Sequence, residues 1–237
     1  MTTASRRQFL QRAALGAAAL AAVGGLPAAS ETTLQHVVHR GETLSGIARL
    51  YGTTVNDLKL WNGLVHDLIQ PDQRLELRPQ YRTLPLADIN LPRIDTDKWR
   101  HLIIHHSGTP AGSAKVFHDF HLAKGMENGL AYHFVIGNGS HSKDGQVEVG
   151  GRWLHQLHGG HVSSEVYNAS GIGICLVGNF EKAHPSDKQL AALVELVDYL
   201  KNKTLQRRAK LHLHRDLEQT LCPGKHFPAD RFRELFG

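Results

Sequence analysis

In "LHLHRDLEQTLCPG", residues 211–224, two histidines and one of the chain's two cysteines fall within fourteen residues. Imidazole nitrogen and thiolate sulfur are ligands that suit zinc, and a zinc site that does chemistry has three protein ligands and one open position. Cys222 lies a loop's length after His214, so a strand end and a loop can fold onto one ion. The third ligand must come from elsewhere. "HLIIHHSGTP", residues 101–110, offers His105 and His106 at the end of an apolar run. His105 is the leading candidate, but spacing alone does not choose it among His106, His158, His161 and His212.

The elements that carry these residues read as an α/β domain. Leu102 to Ile104 reads as a buried strand that delivers His105, His106 and Ser107 at its C-terminal end. Neighbouring strand residues point to opposite faces, so only one of the two histidines can face the site and the other is structural. "SAKVFHDFHLAKG" has helical spacing, with Val116, Phe117 and Phe120 expected inward. "LAYHFVIGNGSHSKDGQVEVG" predicts two strands joined by a loop containing Gly139 and Gly145, with Tyr132 and Phe134 on one face and His133 on the other. "GIGICLVGNF" is another apolar strand. "SDKQLAALVELVDYLKNK" is the clearest helix, with Ser186 and Gln189 placed for a capping box and Leu190, Leu193, Val194, Val197 and Leu200 as its apolar stripe. "AKLHLHRD" closes the series as a strand with His212 and His214 on the same face.

A smaller unit precedes this domain. From His36 to Leu77 the chain parses as strand, helix, helix, strand: Val37 and Val38 in the first strand, Thr43 capping a helix of Leu44, Ile47, Ala48 and Tyr51, and Thr54 capping a second with Val55, Leu58 and Trp61 inward. "IQPDQRLEL" supplies a turn and the closing strand. Residues 79–99 carry prolines without helical or alternating periodicity, which predicts a linker or an arm lying on the next domain.

At the N-terminus, an arginine pair precedes a long Ala/Leu/Gly run, and this reads as an export signal over residues 1–29. Arg6 and Arg7, within Ser5 to Leu10, resemble the twin-arginine signal, which implies the twin-arginine translocon as an export partner and a periplasmic or secreted product. The run from Ala13 to Ala29 is short for the roughly 20 residues of a spanning helix and is diluted by glycine, so no stable membrane anchor is expected. Three of the chain's 27 basic residues lie in this stretch and no acid precedes Glu31, so the remainder carries 24 basic residues against 22 acidic ones. That balance excludes a polyanion-binding face as the basis of function, and no nucleic-acid partner is expected. Two cysteines cannot build a disulfide framework.

"GETLSGIARLYGTTVNDLKLWNGL" followed by "IQPDQRLEL" resembles the lysin motif (LysM), over residues 35–78. The resemblance implies a βααβ module that binds N-acetylglucosamine-containing glycans, peptidoglycan or chitin, through a groove of Gly41, Glu42, Thr43, Leu44, Ile69, Gln70 and Pro71. "IIHHSGTP", "AYHFVIGNG", "HQLHGGHVSSEVYNASGIGICLVGNF" and "LHRDLEQTLCPG" resemble, in order, the zinc-dependent N-acetylmuramoyl-L-alanine amidases of the phage-endolysin and peptidoglycan-recognition-protein superfamily. This resemblance implies a mixed central β-sheet flanked by helices over residues 100–237. It implies a Zn2+ site of His105, His214 and Cys222, with Tyr132 as the active-site tyrosine and Thr220 in a catalytic or positioning role. His161 is expected to line the substrate groove, and His106 and His212 to be structural. Cys175 stands where related anhydromuramyl-peptide amidases carry a catalytic glutamate, which leaves no obvious carboxylate base.

The implied reaction is hydrolysis of the amide between N-acetylmuramic acid and L-alanine by a zinc-activated water, with peptidoglycan as the partner of both modules. Two alternatives share the resemblance: a binding-only peptidoglycan sensor, against which the complete ligand set argues, and a secreted antibacterial lysin with the same chemistry.

Overall fold

The structure, a computed structural model, describes residues 34–206 and 208–237. The export signal read at residues 1–29 lies outside the described residues, and none of the helices described is long and apolar enough to cross a membrane.

β1 (Leu34–Val37) and β2 (Arg74–Leu77) pair antiparallel with Leu34 opposite Leu77. Between them, Thr43 accepts the Gly46 N–H to start α1 (Leu44–Leu50), and Thr54 accepts the Asp57 N–H to start α2 (Val55–Asn62). Leu44, Ile47, Leu58 and Leu75 close the space beneath the two strands, each at most 2% exposed. The βααβ reading of this module is therefore met.

Residues 79–99 form an arm on the following domain. A short helix, α3 (Leu86–Ile89), buries Ile89, and Trp99 is fully buried. The Trp153 indole N–H donates to the Ile89 carbonyl at 3.2 Å, and that of Trp99 to Gln156 Oε1 at 2.8 Å.

The large domain contains β3 (His101–His106), α4 (Ala114–Ala123), β4 (Phe134–Ile136), β5 (Val147–Val149), α5 (Gly151–Leu154), α6 (Glu165–Ser170), β6 (Gly171–Leu176), α7 (Asp187–Asp198), β7 (Lys210–Leu213) and α8 (Ala229–Phe236). The strand order is β5-β4-β6-β3-β7, with all neighbours parallel except β4 and β5. This is the mixed sheet flanked by helices that was expected. The Ser186–Gln189 capping box opens α7 as predicted. Almost all of α7 is buried, including Glu195 and Asp198, because the arm covers its polar side. Thr83 donates to Glu195 through both its N–H and its hydroxyl, and the Tyr81 hydroxyl donates to Asp198 at 2.5 Å.

Alternation sorts the sheet into two faces. Leu102, Ile104, Phe134, Ile136, Ile172, Ile174 and Leu176 join the main core with α7 and α8. Val135, Cys175 and Val177 form a smaller cluster with Phe117 and Leu130 on the other face. Two expectations are corrected here. Tyr132 packs with the smaller cluster while Phe134 sits in the main core, because the strand starts only at Phe134 and the backbone before it is irregular. On α4 only Phe117 is buried, and Val116 and Phe120 are 39% and 56% exposed. The Nδ1 atoms of the exposed His118 and the half-buried His121 instead accept the N–H groups of Leu130 and Ala131.

The small module shares the main core with the large domain. Polar contacts join them as well: Arg231 of α8 binds Glu42, His39 approaches Glu234 at 3.4 Å, and Arg49 approaches Asp187 at 3.4 Å.

The interior holds neutral histidines, and this sets an acid limit. His133 takes the Gly173 N–H on Nδ1 and faces the Leu157 carbonyl with Nε2, and burial pushes its pKa well below 6.5. His36 is also lowered by burial, against the opposing pull of Glu42. Because the unfolded chain binds these protons more readily, their stabilisation is complete above about pH 6.5 and is lost as pH falls toward the folded values. The midpoint of denaturant unfolding, measured with chelator present, is expected to drop progressively between pH 7.5 and 5. A midpoint constant over that range would contradict this account.

Candidate metal centre

β3 carries His105 to the C-terminal edge of the sheet, and Cys175 of β6 lies beside it in register. The same edge receives β7, after which the chain tightens into a 3-10 turn over His214–Asp216. Each residue of the "HRD" segment has a distinct task there. His214 turns its ring to within 4.5 Å of the His105 ring, centroid to centroid. Arg215 ties down the cysteine loop, its N–H donating to the Cys222 carbonyl at 2.9 Å and its guanidinium to the Gly224 carbonyl at 3.1 Å. The Asp216 carboxylate accepts the Leu213 N–H and an Arg233 guanidinium N–H.

One ligand atom each from His105, His214 and Cys222 lies within 4.8 Å of the others. His105 Nδ1 stands 3.8 Å from Cys222 Sγ. The chemistry of this set fits a soft divalent cation such as zinc. His105 is 1% exposed, and burial holds its pKa far below 6.5, so its ring is a neutral nitrogen donor. Burial pushes the Cys222 thiol up to about 12, although the His106 N–H, 3.3 Å from its sulfur, opposes the rise. A cation is what would convert this thiol to a thiolate.

Tyr132 flanks the group, its ring 5.3 Å from that of His105, and burial raises its pKa well above 10. Thr220 Oγ1 accepts the Cys222 N–H at 3.2 Å, which leaves its hydroxyl proton free to donate. His106 points away from the group and accepts the Phe180 N–H. His212 faces His101 at 3.0 Å, further down the sheet. His161, expected to line the groove, lies beneath His105 with 7% exposure. Glu218 escaped the sequence reading: its carboxylate binds His214 Nε2 and accepts from the Ser163 N–H and hydroxyl. The signal was its four-residue spacing from His214, which a helical turn converts into contact.

In the small module, Gly41, Thr43, Gln70 and Pro71 are exposed and Ile69 is half-buried. Leu44 is a core residue, and the Glu42 carboxylate is occupied by His36, the His39 N–H and Arg231.

Residues 95–225 match the family described as N-acetylmuramoyl-L-alanine amidase (Amidase_2), and residues 36–78 match the LysM domain. An N-acetylmuramoyl-L-alanine amidase of Sus scrofa is 30% identical over 135 residues, covering 52% of this chain and 21% of that protein. Peptidoglycan-recognition protein LB of Drosophila melanogaster is 31% identical over 134 residues, covering 52% of this chain and 54% of that one. The cell wall-binding protein YocH of Bacillus subtilis (strain 168) is 47% identical over 49 residues, 21% of this chain and 17% of its own length. The chain thus spans from about a fifth to about half of the length of these curated relatives. Among solved structures, the endolysin amidase LysCS from Clostridium intestinale URNW superposes with a TM-score of 0.50 at 28% identity, over 58% of this chain and 84% of that one. With more than half of its length matched, the chain belongs to the N-acetylmuramoyl-L-alanine amidase (Amidase_2) family and carries a LysM domain on the N-terminal side of its amidase domain.

Proposed function

We propose that this protein is a zinc-dependent peptidoglycan hydrolase that cleaves the amide between N-acetylmuramic acid and the L-alanine of the stem peptide. The observation that carries the reading is the convergence of His105, His214 and Cys222 beside Tyr132 at one edge of the sheet. His105, His214 and Cys222 would hold the ion, which when bound supplies Lewis acidity toward water and the scissile carbonyl.

The chain's own groups do the rest. Tyr132 keeps its proton and donates a hydrogen bond to the carbonyl oxygen as charge develops there. Thr220, through its free hydroxyl proton, orients the attacking water. Glu218 holds the His214 ring by its Nε2. The LysM domain keeps the enzyme on the glycan and raises the local concentration of stem peptide around the amidase domain. On the N-terminal sequence, we place this work in the periplasm or outside the cell after twin-arginine export.

The test is release of new alanine amino groups from purified sacculi by the purified protein, with and without a zinc chelator and with zinc added back. Release that chelator stops and zinc restores is expected. No release, with protein still retained on the sacculi, would replace the enzyme reading with a binding-only one.

A further inference from the structure

His105 has two ring nitrogens, and only one can face the candidate ion. Nδ1 looks toward Cys222 at 3.8 Å, while Nε2 lies 3.1 Å from His161 Nδ1. The other nitrogen of His161, Nε2, is 3.3 Å from the Gly171 carbonyl oxygen. A carbonyl can only accept, so His161 Nε2 carries the hydrogen in this contact. A neutral imidazole has one N–H, which makes His161 Nδ1 an acceptor. The hydrogen between the two rings therefore sits on His105 Nε2, and the lone pair of His105 is left on Nδ1, facing Cys222.

The protein is built around this ring. Gly159 and Gly173 each pack so closely that an added Cβ would fall within 3.0 Å of the His161 imidazole. Asn168 Oδ1 accepts the His161 main-chain N–H at 3.0 Å and fixes its approach. At 7% exposure and with both ring nitrogens bonded within the protein, His161 has no free ring nitrogen to offer a substrate.

We infer that His161 is a positioning residue for the candidate metal centre: it holds His105 in the tautomer and orientation that turn Nδ1 toward Cys222 and His214. The inference rests on the metal-ligand reading of His105 given above. The role is the one that carboxylates or backbone carbonyls fill behind many metal-binding histidines, here filled by a second imidazole relayed to the Gly171 carbonyl.

Two measurements on the full chain test it. The first is the His105 tautomer in the wild-type protein, read from long-range 1H–15N correlations with 15N-labelled histidine; hydrogen on Nε2 is expected, and hydrogen on Nδ1 would overturn the inference whatever the variants do. The second is zinc affinity by competition with a chromophoric chelator for wild type, His161→Asn and His161→Leu. Asparagine places an acceptor oxygen near the position of Nδ1, so H161N is expected to stay near wild type. Leucine removes the acceptor, and H161L is expected to lose about 10- to 100-fold in affinity. Wild-type affinity in H161L, or loss in H161N as large as in H161L, would overturn the positioning role. A wild-type protein that binds no zinc would instead sink the metal reading of His105, and the tautomer measurement would still decide the arrangement of the two rings.

Discussion

Replacing Cys222 with serine is expected to remove bound zinc and with it all measurable release of alanine amino groups. Cys222 is 8% exposed, and its sulfur sits between the His106 N–H and His105 Nδ1. Without a cation, burial favours the thiol strongly enough to push its pKa to about 12. A soft divalent ion can displace that proton because thiolate is a strong ligand for it. A serine hydroxyl, far less acidic and harder, gives the ion no comparable partner. Loss of an outer contact behind a ligand costs about 10- to 100-fold in affinity, and loss of the ligand itself is expected to exceed that. The substitution is close to isosteric, so the fold should persist, and the unfolding midpoint of the chelator-treated variant should match that of chelator-treated wild type. Zinc content after dialysis and amino-group release are the readouts. Stoichiometric zinc with full activity in the serine variant would refute the ligand assignment.

The residues of this centre were legible in the sequence to different depths. His214 and Cys222 stood out because they are near in sequence and Cys222 is one of only two cysteines. His105 was ambiguous with His106 until the strand was seen to send His106 to the Phe180 N–H and His105 to the other face. Glu218 was hidden because a residue just past a predicted strand was read as loop, whereas the backbone turns tightly there and brings the carboxylate back onto His214. His161 was hard to place for a different reason. "GIGIC" reads as a uniformly apolar strand, but its odd positions, Gly171, Gly173 and Cys175, are the small residues of one face. That emptied face is where the imidazole lies. Small size at alternate positions is a weaker signal than hydrophobicity, and only the register shows what it makes room for.

The fold shows the same division between local and non-local information. Caps and periodicity fixed α1, α2 and α7, because Thr43, Thr54 and Ser186 satisfy helix N–H groups within three residues. The burial of Glu195 and Asp198 was not readable, since it depends on an arm more than a hundred residues earlier in the chain. On α4, helical spacing put Val116, Phe117 and Phe120 inward, but only Phe117 is buried, and His118 and His121 accept backbone N–H groups from the 130–131 segment.

Tyr132→Phe is expected to lower kcat by about 10²- to 10³-fold, the range measured when one oxyanion donor is removed. Its ring packs on the cluster of Phe117, Leu130, Val135, Cys175 and Val177, and a phenyl ring keeps that packing. Tyrosine is not among the three ligands, so zinc content should be unchanged. What the variant loses is the O–H of a ring that stands 5.3 Å from that of His105. Burial raises the pKa of that group well above 10, which favours the protonated hydroxyl. A group that holds its proton can donate to a developing negative charge but cannot accept the proton of the attacking water. The pH dependence of kcat separates the two roles: if Tyr132 donates, the phenylalanine variant keeps the wild-type profile at a lower level, whereas a tyrosine base would take one ionisation out of the profile with it. Because donation acts in the transition state, KM should change little and retention on sacculi not at all. Wild-type kcat in the variant would remove Tyr132 from the mechanism and leave the ion and Thr220 to account for catalysis.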